Sequence, residues 1–155
     1  RALRATAAAA ALVLALGAET PAIAADESAL IVQGSPHSVA ATLDRLEAAV
    51  RGAGATVFAR IDHAAGAEAA GLEMRPAAVL IFGNPKLGTP MMRAEGAMAL
   101  DLPLRVAAFE TEDGATRLVY RDIRAVAEAH GVEVEAVARA AGALEALTAK
   151  AVSPE

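Results

Sequence analysis

The residues of this 155-residue sequence that are best suited to acid–base chemistry are Asp62 and His63, which follow an apolar stretch directly. A histidine beside a carboxylate can transfer a proton near neutral pH. Adjacent strand residues point to opposite faces, so Asp62 orients His63 only if the chain bends there. We therefore favour a structural role for the pair, such as capping the short helix that follows. The alternative is a small, cofactor-free acid/base enzyme that uses His63 with Asp101. We interpret the other two histidines, His37 and His130, as surface residues.

A second candidate is the polar turn that contains Gly83, Asn84, Lys86, Gly88 and Thr89. Its backbone N–H groups, with the Lys86 ammonium and the Thr89 hydroxyl, are suited to hold a carboxylate or a phosphate. The turn lacks the Gly-x4-Gly-Lys-Ser/Thr spacing of a P-loop, so nucleotide hydrolysis is not supported. The slightly favoured interpretation is a rigid connection in which Asn84 caps its own backbone and prolines restrict the chain.

Three methionines, Met91, Met92 and Met98, raise the alternative of copper(I) binding, because thioethers are soft ligands. Methionine more often fills a core or an interface, and Met91 and Met92 diverge if they lie on a helix. No Met-x-x-Met, Gly-x-Ser-x-Gly or His-Glu-x-x-His motif occurs in the sequence. We therefore expect no metal site and no cofactor, and we disfavour an enzyme.

Charge and cysteine content exclude several other classes of function. The formal net charge is −5, whereas binding to nucleic acid phosphates or to anionic lipid needs clustered Lys and Arg. The sequence contains no cysteine, which excludes disulfides, thiol nucleophiles and zinc–thiolate sites. Stability must therefore come from an ordinary hydrophobic core.

The N-terminal residues 1–24 have the pattern of a cleavable signal peptide. Arg1 and Arg4 form a basic region, residues 7–16 are apolar, and Ala22 and Ala24 frame a small-residue end. The apolar run is shorter than the roughly 20 residues that cross a bilayer, so it is not an anchor. We expect cleavage after Ala24, a periplasmic or secreted protein, and no stable membrane insertion afterwards.

The remaining sequence predicts one α+β domain over residues 28–150 and a polar tail over residues 151–155. Strands are predicted at residues 29–33, 56–61, 77–82, 104–110 and 116–121, the last two forming an antiparallel hairpin. Helices are predicted from Ser38 to about Gly52, at residues 64–70, from Asp122 to His130, and at residues 133–150. Residues 86–98 are expected to form a loop that contains a short helix.

Five short sequence motifs occur in order between Leu30 and His130. They are Ser35-Pro36 with Ser38; Arg60-Ile61-Asp62-His63-Ala64-Ala65-Gly66-Ala67; Gly71-Leu72-Glu73-Met74-Arg75-Pro76; Phe82-Gly83-Asn84-Pro85-Lys86-Leu87-Gly88-Thr89-Pro90; and Leu100-Asp101-Leu102-Pro103-Leu104. Together they resemble the exported bacterial group of domain-of-unknown-function family 302. The resemblance implies a β-α-β(4)-α fold of the TATA-binding-protein-like kind, a mostly antiparallel sheet with helices on one face, here with an additional C-terminal helix. It also suggests a homodimer, and it implies no assigned activity.

Many members outside that group carry a cysteine before Asn-Pro and another after Leu-Pro. This chain has Gly83 and Leu104 in those places, so no thiol or thiolate–metal role is carried over. The two loops themselves, around Asn84-Pro85 and around Asp101-Leu102-Pro103, remain candidates for a site.

From these observations we expect a non-enzymatic binding or interaction module of the bacterial cell envelope. Loops that leave a rigid sheet are where function usually lies. We therefore expect the end of the second strand to converge with the two loops and to hold a small polar or anionic ligand, with Met91 or Met92 as an apolar wall. The predicted ligand-binding residues are His63, Asn84, Lys86, Thr89 and Asp101.

Overall fold

The fold is described from a computed structural model, which covers residues 29–154 of the chain. The predicted signal peptide over residues 1–24 lies outside the described residues, so its cleavage stays a prediction. Within residues 29–154, no helix is both long enough and apolar enough to cross a membrane.

Five antiparallel strands form a single sheet in the spatial order β1-β5-β4-β3-β2. The central strand β4 thus lies between its hairpin partner β5 and the strongly apolar strand β3. The strands are β1 Leu30–Ser35, β2 Thr56–Asp62, β3 Ala77–Gly83, β4 Leu104–Glu110 and β5 Thr116–Arg121.

Between Leu30 and Pro154, five α-helices and one 3-10 helix connect the strands and follow them. They are α1 Val39–Gly52, α2 His63–Ala69, α3 Pro85–Ala94, the 3-10 helix Gly96–Leu100, α4 Ile123–Ala129 and α5 Glu135–Val152. The side chains of Ser38, Asp62, Asn84 and Asp122 accept backbone N–H hydrogen bonds at the starts of α1, α2, α3 and α4. Such caps satisfy donors that have no partner inside the helix. The predicted caps at Ser38 and Asp122 are confirmed.

The main core lies between one face of the sheet and the pair of helices α1 and α5. Leu80 and Phe82 of β3 are buried on this face and alternate with less buried neighbours. Leu43 and Leu46 of α1 and Leu144 of α5 pack against them. The α+β class, the order β-α-β(4)-α with a further C-terminal helix, and helices packed on one face are therefore confirmed.

The opposite face of the sheet points away from α1 and α5, and we call it the open face. Leu30, Val32 and Ile61 on this face are 46%, 56% and 44% exposed. Among the residues that the structure describes, the open face carries three arginines and no acidic side chain. Its residues are Leu30, Val32 and Gly34 of β1, Arg117, Val119 and Arg121 of β5, Arg105, Ala107 and Phe109 of β4, Ala77, Val79 and Ile81 of β3, and Ala59 and Ile61 of β2.

A second cluster joins α3, the 3-10 helix, α4 and α5. Met91 of α3 and Met98 of the 3-10 helix are buried against Ile123 and Ala127 of α4 and small residues of α5. This cluster fixes α3 at one end of the sheet, beside the ends of β3 and β4.

Two segments differ from the sequence-based expectation. Residues 85–94 form a regular helix rather than a loop with a short helix, because Pro85 occupies the first helical turn, where no backbone N–H is needed. Pro90 lies inside α3 on its exposed side, where water can hydrate the carbonyl freed by the missing N–H. The helix α5 begins at Glu135 and continues to Val152, and Ala151 is fully buried, so the polar tail begins at Ser153 instead of residue 151.

Candidate functional site

A cavity of about 410 Å³ lies between α3 and the segment that leads into β4. Phe82 of β3 pairs with Leu104 of β4, so the loop after β3 and the loop before β4 leave the sheet side by side. Asn84 and Pro85 from the first loop and Leu102 and Pro103 from the second therefore line the same cavity.

The walls of the cavity are predominantly apolar. Exposed apolar side chains reach its edge, since Phe58 is 58% and Met92 36% exposed. None of the described lining residues is titratable. The apolar walls are formed by Phe58, Leu87, Met91, Met92, Leu102, Pro103, Leu104 and Ala140.

Asn84 positions α3 and thereby the cavity wall. Its Oδ1 accepts a hydrogen bond of 2.9 Å from the backbone N–H of Lys86, and Pro85 follows with its backbone already suited to a helix. Leu87, Gly88 and Met91 then face the cavity from the first turns of α3. The prediction that Asn84 caps its own backbone is confirmed, and the residue also lines the cavity.

Phe58 reaches the cavity because β2 contains a bulge. Val57 pairs with Phe82 and Ala59 pairs with Ile81, which leaves Phe58 as the extra residue. Its ring lies over Gly83, where an added Cβ would be 3.5 Å from Phe58 Cε2 and 3.4 Å from Pro103 Cβ. Gly83 therefore allows the side chains of β2 and of the second loop to close over the end of β3.

Two further predicted residues, Lys86 and Thr89, lie on the first turns of α3. Both are exposed, and Thr89 lines the cavity whereas Lys86 does not. The structure thus brings together Asn84, Thr89 and the two methionines Met91 and Met92 that were expected to form an apolar wall.

His63 does not lie near this cavity, so the predicted convergence of three segments is wrong for the end of β2. Strand β2 runs antiparallel to β3, with Thr56 opposite Gly83 and Asp62 opposite Ala78. The end of β2 and the end of β3 are therefore at opposite ends of the sheet, about 20 Å apart along β3. Asp62 Oδ1 accepts a hydrogen bond of 3.0 Å from the backbone N–H of Ala65, which confirms the structural role as a helix cap.

Asp101 pairs with His130 and not with His63. The distance between Asp101 Oδ2 and His130 Nε2 is 2.8 Å, and the two side chains are only 27% and 21% exposed. The expectation of an Asp101–His63 acid/base pair is corrected by this geometry. His130 and His37, which were interpreted as surface residues, are both partly exposed and hydrogen-bonded, and His37 Nε2 lies 2.9 Å from the Ser153 carbonyl oxygen.

The methionines of the copper(I) alternative serve as packing residues. Met91 and Met98 are buried in the second cluster, while Met92 lies at the exposed edge of the cavity. Among residues 29–154, no three or more His, Cys, Asp or Glu side chains are grouped so that they could hold a metal ion.

Shifted pKa values occur outside the cavity. The pKa of Asp113, in the turn between β4 and β5, is lowered mainly because the Thr111 hydroxyl donates a hydrogen bond to its carboxylate. The pKa of Arg124 in α4 is raised mainly by its hydrogen bond to Glu145 of α5. Neither group lines the cavity.

Sequence reasoning missed two features of the molecule. The sequence did not identify Phe58 as a residue of the cavity, because a bulge cannot be recognised from the composition of a short strand. Arg105 and Arg121, which face each other on the open face, become neighbours only through the register of β4 and β5. That register could have been extrapolated from the predicted hairpin.

Comparisons with known proteins agree with this architecture. The family model of Domain of unknown function DUF302 matches residues 31–151. The crystal structure of an uncharacterized conserved DUF302 protein from Bacillus stearothermophilus is similar with a TM-score of 0.72, at 16% identity, over 79% of this chain and 98% of that chain. At this identity the likeness shows the fold.

Curated relatives come from Brucella. Proteins named fluoride-specific ion channel FluC 1, from Brucella suis and Brucella abortus, are 41% identical over 106 residues, or 68% of this chain. The match covers 42% and 39% of those two proteins, so this chain spans about two fifths of the length of the relatives it matches.

Proposed function

The chain belongs to the family Domain of unknown function DUF302, and from that premise we propose that it is a non-enzymatic binding module for a small, mainly apolar molecule. The proposed site is the cavity between α3 and the Leu102-Pro103 segment. The observation that carries the proposal is this cavity of about 410 Å³, with apolar walls and with Phe58 and Met92 exposed at its edge.

The size and chemistry of the cavity support this class of ligand. Small-molecule sites commonly enclose about 300–1,000 Å³ and combine apolar walls with a few polar groups. Asn84 already uses its side-chain oxygen to cap α3, so it offers the ligand only its side-chain N–H donors. The hydroxyl of Thr89 is the second polar group.

The proposed ligand therefore differs from the polar or anionic molecule that the sequence suggested for these loops. Lys86 does not line the cavity, and His63 and Asp101 do not join Asn84 and Thr89. An apolar body with one polar end fits the remaining residues better than a carboxylate or a phosphate does.

Binding is favoured over catalysis because the described walls of the cavity offer no acid, base or nucleophilic group other than the Thr89 hydroxyl. General acid–base catalysis needs a titratable group within hydrogen-bonding distance of the reacting atoms. The acid/base mechanism with His63 and Asp101 is not proposed further.

Gly88 provides a direct test. A Cβ at this position would lie 3.7 Å from both Leu102 Cδ1 and Met92 Cε, which is ordinary contact. A leucine side chain would extend into the cavity, whereas alanine would leave most of it open. We therefore expect Gly88→Leu to abolish binding of the uncharged fluorescent probe N-phenyl-1-naphthylamine, and Gly88→Ala to retain it.

Fluorescence titration of the purified full chain measures this difference, and thermal unfolding shows that both variants are folded. Gly88→Ala should also raise stability by about 0.5–1 kcal/mol, because glycine is unfavourable inside a helix. Equal probe binding by the folded Gly88→Leu variant, or no binding by the wild type, would contradict the proposed site.

We also propose that the protein acts in the bacterial envelope and that it forms a homodimer. The signal-peptide pattern of residues 1–24 supports export to the periplasm or the medium. Exposed alanines on α1 and α5, including Ala48, Ala138 and Ala143, permit close approach of a second copy.

A second candidate function is a module that accompanies an anion-transport activity. The observation that favours it is the 41% identity to a part of proteins named as fluoride-specific ion channels. Titration of sodium fluoride with the purified chain, followed by ¹⁹F NMR, would test it. Broadening of the fluoride signal by the folded chain and not by the heat-unfolded chain is the expected result, and an unchanged signal would contradict it.

A further inference from the structure

The open face carries two arginines that face each other across neighbouring strands. Val106 of β4 pairs with Tyr120 of β5, and this register places Arg105 directly opposite Arg121. Both side chains are exposed at the end of the sheet where α4 begins. Side chains in such cross-strand positions have Cβ atoms about 4.5–5.5 Å apart, and like charges there destabilise a sheet.

No residue of the described chain compensates these two charges. Neither Arg105 nor Arg121 forms an ion pair with any residue from 29 to 154, and the open face has no acidic side chain. The third arginine, Arg117, lies farther along β5 and is attracted to Asp113. A positive pair on a chain of formal net charge −5 is therefore a local feature that suits an anion.

The two arginines border a groove of about 530 Å³ between the open face and α4. Val79, Ala107 and Val119 supply an apolar floor, and Val126 supplies part of the α4 wall. The Asp101 carboxylate also lies in this groove, but His130 Nε2 is within 2.8 Å of it, so it is already partnered.

We propose that this groove binds a small organic anion, with its carboxylate held between Arg105 and Arg121 and its apolar body along Val119 and α4. Arginine suits this role because its planar guanidinium matches a carboxylate with two hydrogen bonds. This site is separate from the cavity at α3 and does not depend on the function proposed for it.

The test is calorimetric titration of the purified full chain with sodium octanoate, which has a carboxylate and an apolar body. Sodium acetate lacks the body and 1-octanol lacks the charge, so both should bind this groove much more weakly. Because 1-octanol also suits the cavity proposed at α3, it is titrated into Gly88→Leu, in which that cavity is filled. The double variant Arg105→Gln, Arg121→Gln should bind octanoate about tenfold more weakly or worse, because it loses the charge-assisted hydrogen bonds. The matched control is Arg75→Gln, which changes an exposed arginine just before β3, at the other end of the sheet, and should bind as the wild type does.

Gly88→Leu separates this site from the cavity at α3, because octanoate binding should survive that substitution. The melting temperature of the arginine variants without ligand should be unchanged or higher at low salt, since a repulsion is removed. The proposal is overturned if the wild type does not bind octanoate, if Gly88→Leu binds 1-octanol as well as octanoate, or if the double variant binds octanoate as the wild type does. Loss of octanoate binding in Gly88→Leu, or binding to phosphatidylglycerol vesicles without binding to octanoate, would also overturn it.

Discussion

Asn84 connects the sheet to the proposed site, because it directly follows β3, caps α3 and lines the cavity. Asn84→Ala removes the acceptor for the Lys86 N–H, and we expect the free energy of unfolding to fall by about 1 kcal/mol. Asn84→Asp retains an acceptor and should remain close to the wild type. Chemical denaturation of the three proteins measures the effect.

The same variants separate the two roles of Asn84. A folded Asn84→Ala protein of unchanged stability that no longer binds N-phenyl-1-naphthylamine would show that the residue acts on the ligand and not as a cap. We expect lower stability, because the 2.9 Å hydrogen bond is lost, and retained binding, because N-phenyl-1-naphthylamine has no oxygen atom that could accept from the Asn84 side-chain N–H groups.

Residue roles that depend on neighbours in sequence were predictable, whereas those that depend on distant partners were not. The caps at Ser38 and Asp122 follow from a polar side chain just before a helical pattern. The partner of Asp101 is His130, which is 29 positions away, and only the packing of α4 beside the 3-10 helix brings them together. The proximity of His63 to Asp62 in the sequence did not indicate which histidine would pair with Asp101.

At the scale of elements, α1 is held by a single buried face. Leu46 is fully buried against the sheet, so Leu46→Ala should lower the free energy of unfolding by about 2–5 kcal/mol through lost burial and a cavity. Val32→Thr on the open face should change it by no more than about 0.5 kcal/mol, because Val32 is 56% exposed. Urea unfolding measures both, and comparable losses in the two variants would contradict a core on one face of the sheet.

Strands were more predictable than the segment that builds the cavity. Local patterns alone predict three neighbouring strands: β3 from its continuous apolar residues, and β4 and β5 from their hairpin. Residues 85–94 contain two prolines and a glycine and resemble a loop, yet packing of Met91 into the second cluster holds them as a helix. His63 lies at the end of the sheet away from the cavity because β2 runs antiparallel to β3. No local sequence pattern specifies that direction.

For the whole molecule, the first prediction concerns export. The basic, apolar and small-residue segments at the start of the chain predict cleavage next to Ala24 or Ala25. Intact-mass measurement of the protein purified from the envelope of a bacterial host should therefore show a chain shortened by that segment. A full-length cytoplasmic product would contradict this prediction.

The second prediction at this scale is self-association through the exposed alanines of α1 and α5. Light scattering at about 100 micromolar, well above the dissociation constant of a stable dimer, should show a dimer. Ala138→Glu should shift it towards the monomer, because an exposed alanine on α5 becomes charged. A wild-type monomer would count against the homodimer, and a dimer that persists in Ala138→Glu would place the interface elsewhere.

The methionines of the chain, four in number, can report directly on binding at the cavity between α3 and the Leu102-Pro103 segment. Met91 and Met92 line the cavity at α3, whereas Met74 borders a different groove beside α2 and serves as an internal control. In NMR spectra of protein labelled with ¹³C at the methionine ε-methyl groups, N-phenyl-1-naphthylamine should shift the signals of Met91 and Met92 and leave that of Met74 in place. Unchanged Met91 and Met92 signals at saturating probe, or an equal shift of Met74, would contradict a binding site between α3 and the Leu102-Pro103 segment.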